Sequence, residues 1–327
     1  MEGGYDLTDS NWLLLDSEAI SEPKYGCSPN DRSIEQLLDG GWILIDKPAG
    51  PSSHQLAAWA REMLGVEKLG HGGTLDPFAT GSLILLSGRA MRLTGRILKG
   101  EKTYHCIFKL PKDISDDDLI NNISKLTGRI HNVPPIESAV KVQVRQRTIN
   151  EFNIIERNDR ILLCTIDCEA GTYVRTLARD LGLLLGGDVE LIELRRGKSG
   201  SFSENDAITM HQLSDAIYLW KNHNNAEGMK KIIQPVETLL ENIPKICIKD
   251  GAAAALSHGA PLARPGVVGL NPGVKRGDEV AIITMKHEIV CLASMSVNGD
   301  DVKNMTGGEI ARPNLVLMPP QTYPKRW

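Results

Sequence analysis

The chain has 327 residues, of which 41% are hydrophobic and 24% are charged, a composition typical of soluble globular proteins. Its length leaves room for two domains. No apolar run approaches the roughly 20 residues of a membrane span, and no secretion signal opens the chain, so the sequence predicts a cytoplasmic protein. The six cysteines form no C-x-x-C pair, which argues against a zinc site and for reduced thiols.

The net charge of −4 hides an uneven distribution of charges. Residues 1–40 hold nine acidic and two basic side chains, so the rest of the chain carries a charge of +3. The basic residues also form clusters, which are Arg89, Arg92, Arg96, Lys99 and Lys102, then Lys141, Arg145 and Arg147, then Arg195, Arg196 and Lys198. Three such clusters favour a surface that contacts the phosphates of a nucleic acid.

In chain order, residues 1–40 are predicted to be an extension that packs on another part of the protein. Strands are predicted at residues 42–46, 104–108, 160–169 and 189–194. Helices are predicted after a capping Ser52 or Ser53, from Ser115, up to about Leu185, and from Thr209 towards Trp220. The polar residues 222–228 suit a linker. Short strands then follow at 267–270, 280–284 and 289–295, and their Pro and Gly punctuation is typical of a small β-barrel domain.

Residues 70–81, Gly-His-Gly-Gly-Thr-Leu-Asp-Pro-Phe-Ala-Thr-Gly, are the most unusual stretch of the chain. Four glycines allow sharp turns and close approach of the backbone to other groups. Pro77 pushes Asp76 out of the helical region of backbone space. An isolated Asp-Pro is ordinarily a surface turn. The surrounding glycines instead predict a loop that displays the Asp76 carboxylate.

A single displayed carboxylate restricts the possible chemistry. Metal-dependent hydrolysis would need several clustered ligands, and His71 with Asp76 is too few. Glycoside hydrolysis would need a second carboxylate across the bond. Chemistry on a base flipped out of RNA needs one ionised aspartate, a cation and an aromatic platform, which Arg175 and Tyr104 or Tyr173 could supply.

Several separate motifs in the right order resemble the TruB family of pseudouridine synthases. They are residues 70–81, Lys102-x-Tyr104, residues 171–177 and Leu194-Arg195-Arg196. Further motifs are closer to the dyskerin branch, whose members are the catalytic subunits of box H/ACA guide-RNA particles. These are residues 45–54, 138–141 and 168–173 and the closing Tyr323-Pro324-Lys325-x-Trp327. The resemblance covers roughly residues 30–327.

The resemblance implies three catalytic residues. Asp76 matches the aspartate that takes part in breaking the N1–C1′ bond of uridine, after which uracil rotates and rejoins the sugar through C5. Arg175 matches the cation that pairs with this aspartate, and a bidentate arginine suits that task. Tyr173 matches the tyrosine that helps to remove the C5 proton. Because the reaction is an isomerisation, no cofactor and no metal are expected.

The resemblance also implies four substrate-binding residues. Tyr104 matches the aromatic residue that stacks on the flipped base, and His71 matches a loop histidine associated with capturing that nucleotide. Leu194 matches an apolar wall of the pocket, and Lys102 belongs to the same motif as Tyr104. Taken singly, each of these residues has a plainer structural explanation, since Tyr104 and Leu194 could be core residues and His71 a hydrogen-bonding loop residue.

The fold class that follows is α+β, with a mixed, largely antiparallel sheet flanked by helices and a small C-terminal β-barrel. Residues 1–40 are assigned to the extension, 41–243 to the pseudouridine synthase domain, and 244–327 to an RNA-binding PUA domain. In the dyskerin branch the extension packs against the PUA domain, which would explain its acidic residues.

Two alternatives stay open. Residues 77–81 and 175–180 resemble the bacterial members that modify tRNA unaided, which keeps a stand-alone tRNA pseudouridine-55 synthase possible. Against this, the segment between Phe108 and Pro134 is too short to contain the RNA-gripping insertion of those enzymes. This favours an enzyme that acts on rRNA or tRNA with the help of a guide RNA and small partner proteins. The lysine-rich tails of eukaryotic dyskerins are absent, which favours an archaeal type. The other alternative is an RNA-binding scaffold without activity.

Overall fold

The computed structural model describes residues 11–135 and 141–325. The predicted motif residues 138–140 and Trp327, and the first ten residues of the predicted extension, lie outside the described residues. The contacts divide the chain into two units. The central unit is Trp42–Ile232, and the terminal unit combines the described residues up to Gly41 with those from Ile233 onward. This division falls inside the segment 41–243 that the sequence assigns to one domain.

The strands are β1 (Leu13–Leu14), β2 (Gly41–Lys47), β3 (Leu69–His71), β4 (Thr80–Ser87), β5 (Lys102–Lys109), β6 (Gly128–Asn132), β7 (Arg145–Asn158), β8 (Ile161–Cys168), β9 (Glu190–Ser199), β10 (Phe202–Ser203), β11 (Gln234–Pro235), β12 (Lys245–Ile248), β13 (Leu262–Ala263), β14 (Val267–Leu270), β15 (Glu279–Thr284), β16 (Ile289–Met295) and β17 (Glu309–Val316).

The α-helices are α1 (Ile34–Leu38), α2 (Ser53–Leu64), α3 (Thr94–Lys99), α4 (Asp116–Ser124), α5 (Val174–Leu185), α6 (Met210–His223), α7 (Glu227–Ile232) and α8 (Asp250–Ser257). Short 3₁₀ helices span Pro29–Asp31, Gly88–Leu93, Glu204–Asp206, Val236–Leu240, Arg264–Gly266 and Gly299–Asn304. Among the described residues, none of these helices combines the length and the apolar character needed to cross a membrane.

The sheet of the central unit runs in the order β2-β4-β9-β5-β8-β7-β6. Neighbouring strands are antiparallel except β4 and β9, which are parallel where Thr80 faces Arg195 and Gly81 faces Arg196. The start of β4 therefore lies directly beside the middle of β9. The predicted mixed, largely antiparallel sheet is confirmed.

The helices of the central unit begin where side chains cap them. Ser52 accepts a hydrogen bond from the Gln55 amide while the Gln55 side chain accepts one from the Ser52 amide, which closes a capping box on α2. Thr209 and Gln212 repeat the arrangement on α6. These two predicted helices are confirmed. The linker predicted at residues 222–228 is wrong, because α6 continues to His223 and α7 begins at Glu227 within the central unit.

One core cluster connects the sheet, helix α5 and the loop between β3 and β4. Leu177 and Leu181 of α5 pack in the same cluster as the sheet residue Phe108. Leu75 and Ala79, which lie on either side of Asp76, are buried in that cluster as well. The loop is therefore anchored by two apolar side chains, and the residues between them are displayed.

The terminal unit contains a second sheet, in the order β1-β14-β12-β15-β16-β17-β13. Leu13 and Leu14 of the N-terminal segment add β1 to β14. Asp16 forms an ion pair of 2.6 Å with Lys249, and the hydrogen bond from this lysine lowers the pKa of the Asp16 carboxyl. The N-terminal segment thus adds a strand to this sheet and is also held in the terminal unit by an ion pair.

A buried carboxylate, Glu288, joins three distant parts of the terminal unit. It accepts hydrogen bonds from the Tyr323 hydroxyl at 2.5 Å, the Thr284 hydroxyl at 3.1 Å and the Cys27 amide at 3.1 Å. Gly26 has a φ of 63°, and a Cβ there would lie 2.4 Å from a Glu288 oxygen. Only glycine fits this backbone, and the carboxylate is well supplied with donors.

Replacing Tyr323 by Phe should destabilise the protein by about 1–3 kcal/mol, because the buried Glu288 carboxylate loses a donor that water cannot replace. Denaturant unfolding of Tyr323→Phe and wild type measures the difference. Tyr218→Phe, at a mostly exposed tyrosine, is the matched control and should change the free energy of unfolding little. Equal effects of the two substitutions would contradict the assigned role of the Tyr323 hydroxyl.

Candidate active site

The loop between β3 and β4 displays Asp76 at a site that is neither buried nor freely exposed. The loop leaves β3 at His71, and the Gly72 amide donates to the Ile84 carbonyl at 2.8 Å. The Ala79 amide donates to the Asp76 carbonyl at 3.1 Å, so the backbone turns tightly around Pro77. The Asp76 side chain keeps 30% of its surface exposed.

Ser53 fixes the loop from the start of α2. Its buried hydroxyl accepts a hydrogen bond from the Leu75 amide at 2.8 Å and donates one to the Leu75 carbonyl at 3.1 Å. Both backbone groups of the residue that precedes Asp76 are therefore paired. The predicted role of Ser53 as a possible helix cap is taken by Ser52, and Ser53 holds the loop.

Lys47 fixes the other side of the loop. Its fully buried ammonium donates to the carbonyls of Pro48 at 2.9 Å, Pro77 at 3.1 Å and Ala79 at 2.7 Å. Burial lowers the pKa of this ammonium, and the nearby Asp76 carboxylate opposes the shift. An ammonium has three donors, and all three have partners here, which reduces the cost of burying its charge.

Arg196 supports the glycines of the loop. Its buried guanidinium donates from Nε to the Ser82 carbonyl at 2.8 Å and from Nη2 to the Gly73 carbonyl at 3.2 Å. Gly81 has a φ of 99°, and a Cβ there would lie 2.4 Å from the Arg196 carbonyl oxygen. Gly81 must therefore be glycine because β4 and β9 approach closely at this point.

Arg175 contacts Asp76 directly, as predicted for a cation beside the aspartate. Its Nη2 lies 2.9 Å from Asp76 Oδ1, although 99 positions separate the two residues. Arg175 lies in the first turn of α5 and keeps 29% of its side chain exposed. Half-exposed ion pairs contribute only about 0–1 kcal/mol to stability. The contribution of this pair to stability is therefore small.

Tyr173 stands immediately before α5, two residues from Arg175. Its backbone is held by buried Asn132, whose Oδ1 accepts from the Tyr173 amide at 2.9 Å and whose Nδ2 donates to the Tyr173 carbonyl at 3.3 Å. The half-buried side chain of Tyr173 is thus attached to a fixed backbone two residues before Arg175. Asn132, at the end of β6, was not singled out by the sequence.

Tyr104 and Leu194 lie in the core cluster that also contains Leu75 and Ala79. Tyr104 faces Arg196 across β5 and β9, and Leu194 faces Cys106 on the same pair of strands. Burial raises the pKa of the Tyr104 hydroxyl, and the adjacent Arg196 guanidinium opposes the shift. Both side chains belong to the core cluster that anchors the loop. Their contacts with substrate stay predictions.

His71 lies at the end of β3, where the loop begins, and its ring meets His54 edge-on at a centroid distance of 4.5 Å. Burial lowers the pKa of His71, and the neighbouring His54 and Arg196 act in the same direction. His71 Nδ1 is buried and makes no hydrogen bond within the described residues. Its predicted contact with the flipped nucleotide stays a prediction.

The Lys102 ammonium binds backbone carbonyls just before its own strand, β5. The buried ammonium donates to the Gly100 carbonyl at 2.6 Å and the Ile97 carbonyl at 3.4 Å, and burial lowers its pKa to about 8. The structure thus gives Lys102 two backbone partners beside the basic helix α3. Its predicted contact with substrate stays a prediction.

A second Arg–Asp pair braces the strands around the loop. Arg195 of β9 donates to both Asp46 oxygens, at 2.9 and 3.1 Å, and from Nε to Glu204. Asp46 belongs to β2, and β4 lies between β2 and β9 in the sheet. The hydrogen bond to Asp46 raises the pKa of Arg195. This pair therefore bridges three strands, and the sequence did not reveal it.

Sequence reasoning missed the residues that support the site, namely Lys47, Ser53, Asn132 and Arg196. A weak signal was present for two of them. Lys47 directly follows the predicted strand 42–46, and Arg196 lies two residues beyond the predicted strand 189–194, so both were candidates for buried charges with paired donors. No comparable signal marks Asn132.

Comparison with known families divides the chain into four matches. The TruB family pseudouridylate synthase N-terminal domain matches residues 61–174, and the tRNA pseudouridylate synthase B C-terminal domain matches residues 175–241. The PUA domain matches residues 244–317, and the DKCLD (NUC011) domain matches residues 4–57. These matches together span nearly the whole chain.

Full-length relatives agree with these matches. The probable tRNA pseudouridine synthase B of Methanothermobacter thermautotrophicus is 40% identical over 318 residues, covering 97% of this chain and 98% of that protein. A solved structure of an H/ACA RNP bound to a substrate RNA containing 2′-deoxyuridine includes a chain 38% identical, with a TM-score of 0.85 and 97% of both chains covered. A Cbf5-Nop10-Gar1 complex gives 40% identity, a TM-score of 0.83 and 96% coverage of both chains.

Replacing Ser53 by Ala should loosen the loop, because the Leu75 amide and carbonyl would lose their buried partner at a cost of about 1–3 kcal/mol. Hydrogen exchange should then show faster exchange of the Leu75 amide. Ser52→Ala removes the cap of α2 by a similar truncation and is the matched control. Unchanged protection of Leu75 in Ser53→Ala would contradict the assigned clamp.

The Lys102 ammonium should titrate near pH 8, since burial disfavours its charged form. Between about pH 8 and about pH 10.4 the unfolded chain then binds more protons than the folded chain, so the free energy of unfolding rises with pH in this window. NMR of ¹³C-labelled lysine side chains measures the midpoint, and Lys102→Met assigns the signal. A midpoint above pH 10 would show that the ammonium is not buried in solution.

Proposed function

We propose that this chain, which belongs to the TruB family of pseudouridylate synthases and is an RNA pseudouridine synthase, isomerises uridines in rRNA or tRNA that a guide RNA selects. The membership rests on relatives that are about 40% identical over almost the full length of both chains. The choice of target by a box H/ACA guide RNA is our proposal.

One observation carries the assignment of the catalytic centre, which is the 2.9 Å contact between Asp76 and Arg175. The carboxylate sits on a loop whose backbone is tied down by buried side chains on both flanks. Rigid display of a single half-exposed carboxylate beside a cation suits a group that must act on a bound substrate.

In the proposed mechanism, Asp76 takes part in breaking the N1–C1′ bond of the flipped uridine, and Arg175 pairs with the carboxylate. The freed uracil rotates, C5 bonds to C1′, and Tyr173 helps to remove the C5 proton. N1 is left carrying a proton in the product. Bonds and protons balance without oxidation or reduction, so the step needs no electron carrier.

The substrate contacts are part of the same proposal. Tyr104 offers a ring on which the base can stack, for which stacking contributes about 1–3 kcal/mol per base. Leu194 offers an apolar wall, His71 captures the flipped nucleotide, and Lys102 holds the adjoining basic segment in place. Because Tyr104 is largely buried, a base would reach only an edge or part of its ring in this conformation.

Dependence on a guide RNA and on small partner proteins is supported by the similarity to the H/ACA RNP and to the Cbf5-Nop10-Gar1 complex. In this proposal, residues 41–243 form the catalytic domain, and residues 244–327 form a PUA domain that binds RNA. The extension 1–40 braces the PUA domain, which the pairing of β1 with β14 supports. A cytoplasmic location is also proposed, in keeping with six free cysteines.

A stand-alone tRNA pseudouridine synthase is the second candidate, and the names of the relatives favour it. The two candidates differ in what turnover requires. Release of tritium from C5-labelled tRNA by the purified chain alone would favour the stand-alone enzyme. Release only after addition of partner proteins and a matching guide RNA would favour the guided particle. An absence of release in both settings would leave a scaffold.

Replacing Asp76 by Asn should reduce tritium release by at least a thousandfold, to the background of the assay, because the amide cannot act as a nucleophile or base. Asp46→Asn is the matched control, since Asp46 also pairs with an arginine at 2.9 Å and is 31% exposed. It should retain most of the activity. Equal losses in the two variants would show that an ion pair supports the fold and would contradict the catalytic role of Asp76.

A further inference from the structure

An open cleft of about 330 Å³ lies beside the Asp76–Arg175 pair, and no step of the mechanism uses it. Phe78, two residues after Asp76, forms one wall of the cleft, and its side chain is 40% exposed. Arg175 itself forms part of the lining. Ligand sites in proteins usually measure about 300–1,000 Å³, so the space is sufficient for one flat ring system.

The remaining lining residues suit a flat, uncharged ring system. Val189 and Leu191 contribute apolar surface, and Leu191 packs against the core cluster, so this wall is fixed. Arg179 and Asp188 also line the cleft, one with each sign of charge. Asp180 already binds the Arg179 guanidinium through two of its nitrogens, at 2.9 and 3.2 Å. Because both lining arginines are already paired with carboxylates and Asp188 adds a negative charge, the cleft is poorly suited to a phosphate.

We propose that this cleft is a subsite for the base of a nucleotide next to the target uridine, with Phe78 as its stacking surface. Two observations put the cleft next to the catalytic centre. Phe78 belongs to the loop that carries Asp76, and Arg175 is shared between the cleft and the ion pair. An RNA strand whose uridine reaches Asp76 therefore brings its neighbouring nucleotide to the cleft. This inference rests on the proposed catalytic role of Asp76.

Phe78 is a substrate-positioning residue in this proposal. A stacked neighbour holds the strand in both the bound substrate and the transition state, so loss of the ring should raise KM and leave kcat nearly unchanged. Stacking of one base on an aromatic side chain corresponds to about a 5- to 150-fold change in kcat/KM. Damage to the catalytic loop would instead lower kcat.

The test is a cycle of two changes, measured as tritium release by the full chain with any partner proteins and guide that turnover requires. One change is Phe78→Ala, and the other is an RNA with an abasic nucleotide placed 5′ or 3′ of the target. For one of the two positions, each change alone should raise KM about 5- to 150-fold, and both together should raise it no further. Phe78→Tyr should restore KM.

Ile192→Ala is the matched control, because Ile192 is also 40% exposed but is not among the residues that line the cleft. It should leave KM and its response to the abasic nucleotide unchanged. Multiplicative losses, an unchanged KM in Phe78→Ala, or a fall of kcat with every RNA would overturn the subsite. Weaker binding of a partner protein to Phe78→Ala than to wild type would assign the cleft to a protein and overturn it too.

Failure of the proposed catalytic function can be distinguished from failure of the subsite alone. If wild-type protein releases no tritium from any intact RNA, with or without guide and partners, the catalytic assignment fails and the subsite fails with it. If wild type is active and Asp76→Asn is not, while the abasic nucleotides have no effect at either position, only the subsite fails.

Discussion

Hydrogen bonds from three buried side chains to the backbone of one loop are the constraint on which the site depends. A loop without regular structure leaves backbone donors and acceptors that need partners when they are buried. Ser53 pairs with Leu75, Lys47 with the carbonyls of Pro77 and Ala79, and Arg196 with the carbonyl of Gly73. Because these groups are satisfied inside the protein, the apolar neighbours of Asp76 can sit in the core while its carboxylate stays displayed. The geometry of the ion pair with Arg175 follows from this support.

The same device appears in the terminal unit, where irregular backbone is again fixed by buried or partly buried polar side chains. Lys286 donates to the carbonyls of Glu22 and Tyr25, and Glu288 accepts from the amide of Cys27. Arg32 and Glu237 form two hydrogen bonds of 2.8 and 2.9 Å with each other. Each of these contacts joins the N-terminal segment to residues more than 200 positions later. The extension is therefore held by specific polar contacts, in addition to the two-residue strand β1.

Comparison of the two Arg–Asp pairs shows why contact geometry alone does not identify a functional residue. Asp46 with Arg195 and Asp76 with Arg175 have the same separation of 2.9 Å and almost the same exposure of the aspartate. Asp46 lies in a regular strand and its partner bridges β2 and β9, which is a sufficient structural reason for the pair. Asp76 lies in a loop that already has other supports, and an open cleft adjoins it. The difference in surroundings, rather than in the pair, separates a brace from a candidate catalytic centre.

Features whose causes are local could be predicted from the sequence. The serine and threonine caps of α2 and α6, the glycine-rich loop around Asp76, and the motifs of the family all depend on residues that are close together in the chain. It missed the pairing of β6 with β7, which lack a strong apolar alternation, and it placed a linker where α6 and α7 meet. Which charged residues turn inward could not be predicted, because it depends on contacts between distant parts of the chain. Lys47, Lys102 and Arg196 are buried, whereas the sequence counted two of them among surface basic clusters. Their partners come from other parts of the fold, since the order of strands that sets β4 beside β9 brings Arg196 to Gly73 and leaves Arg175 within reach of Asp76.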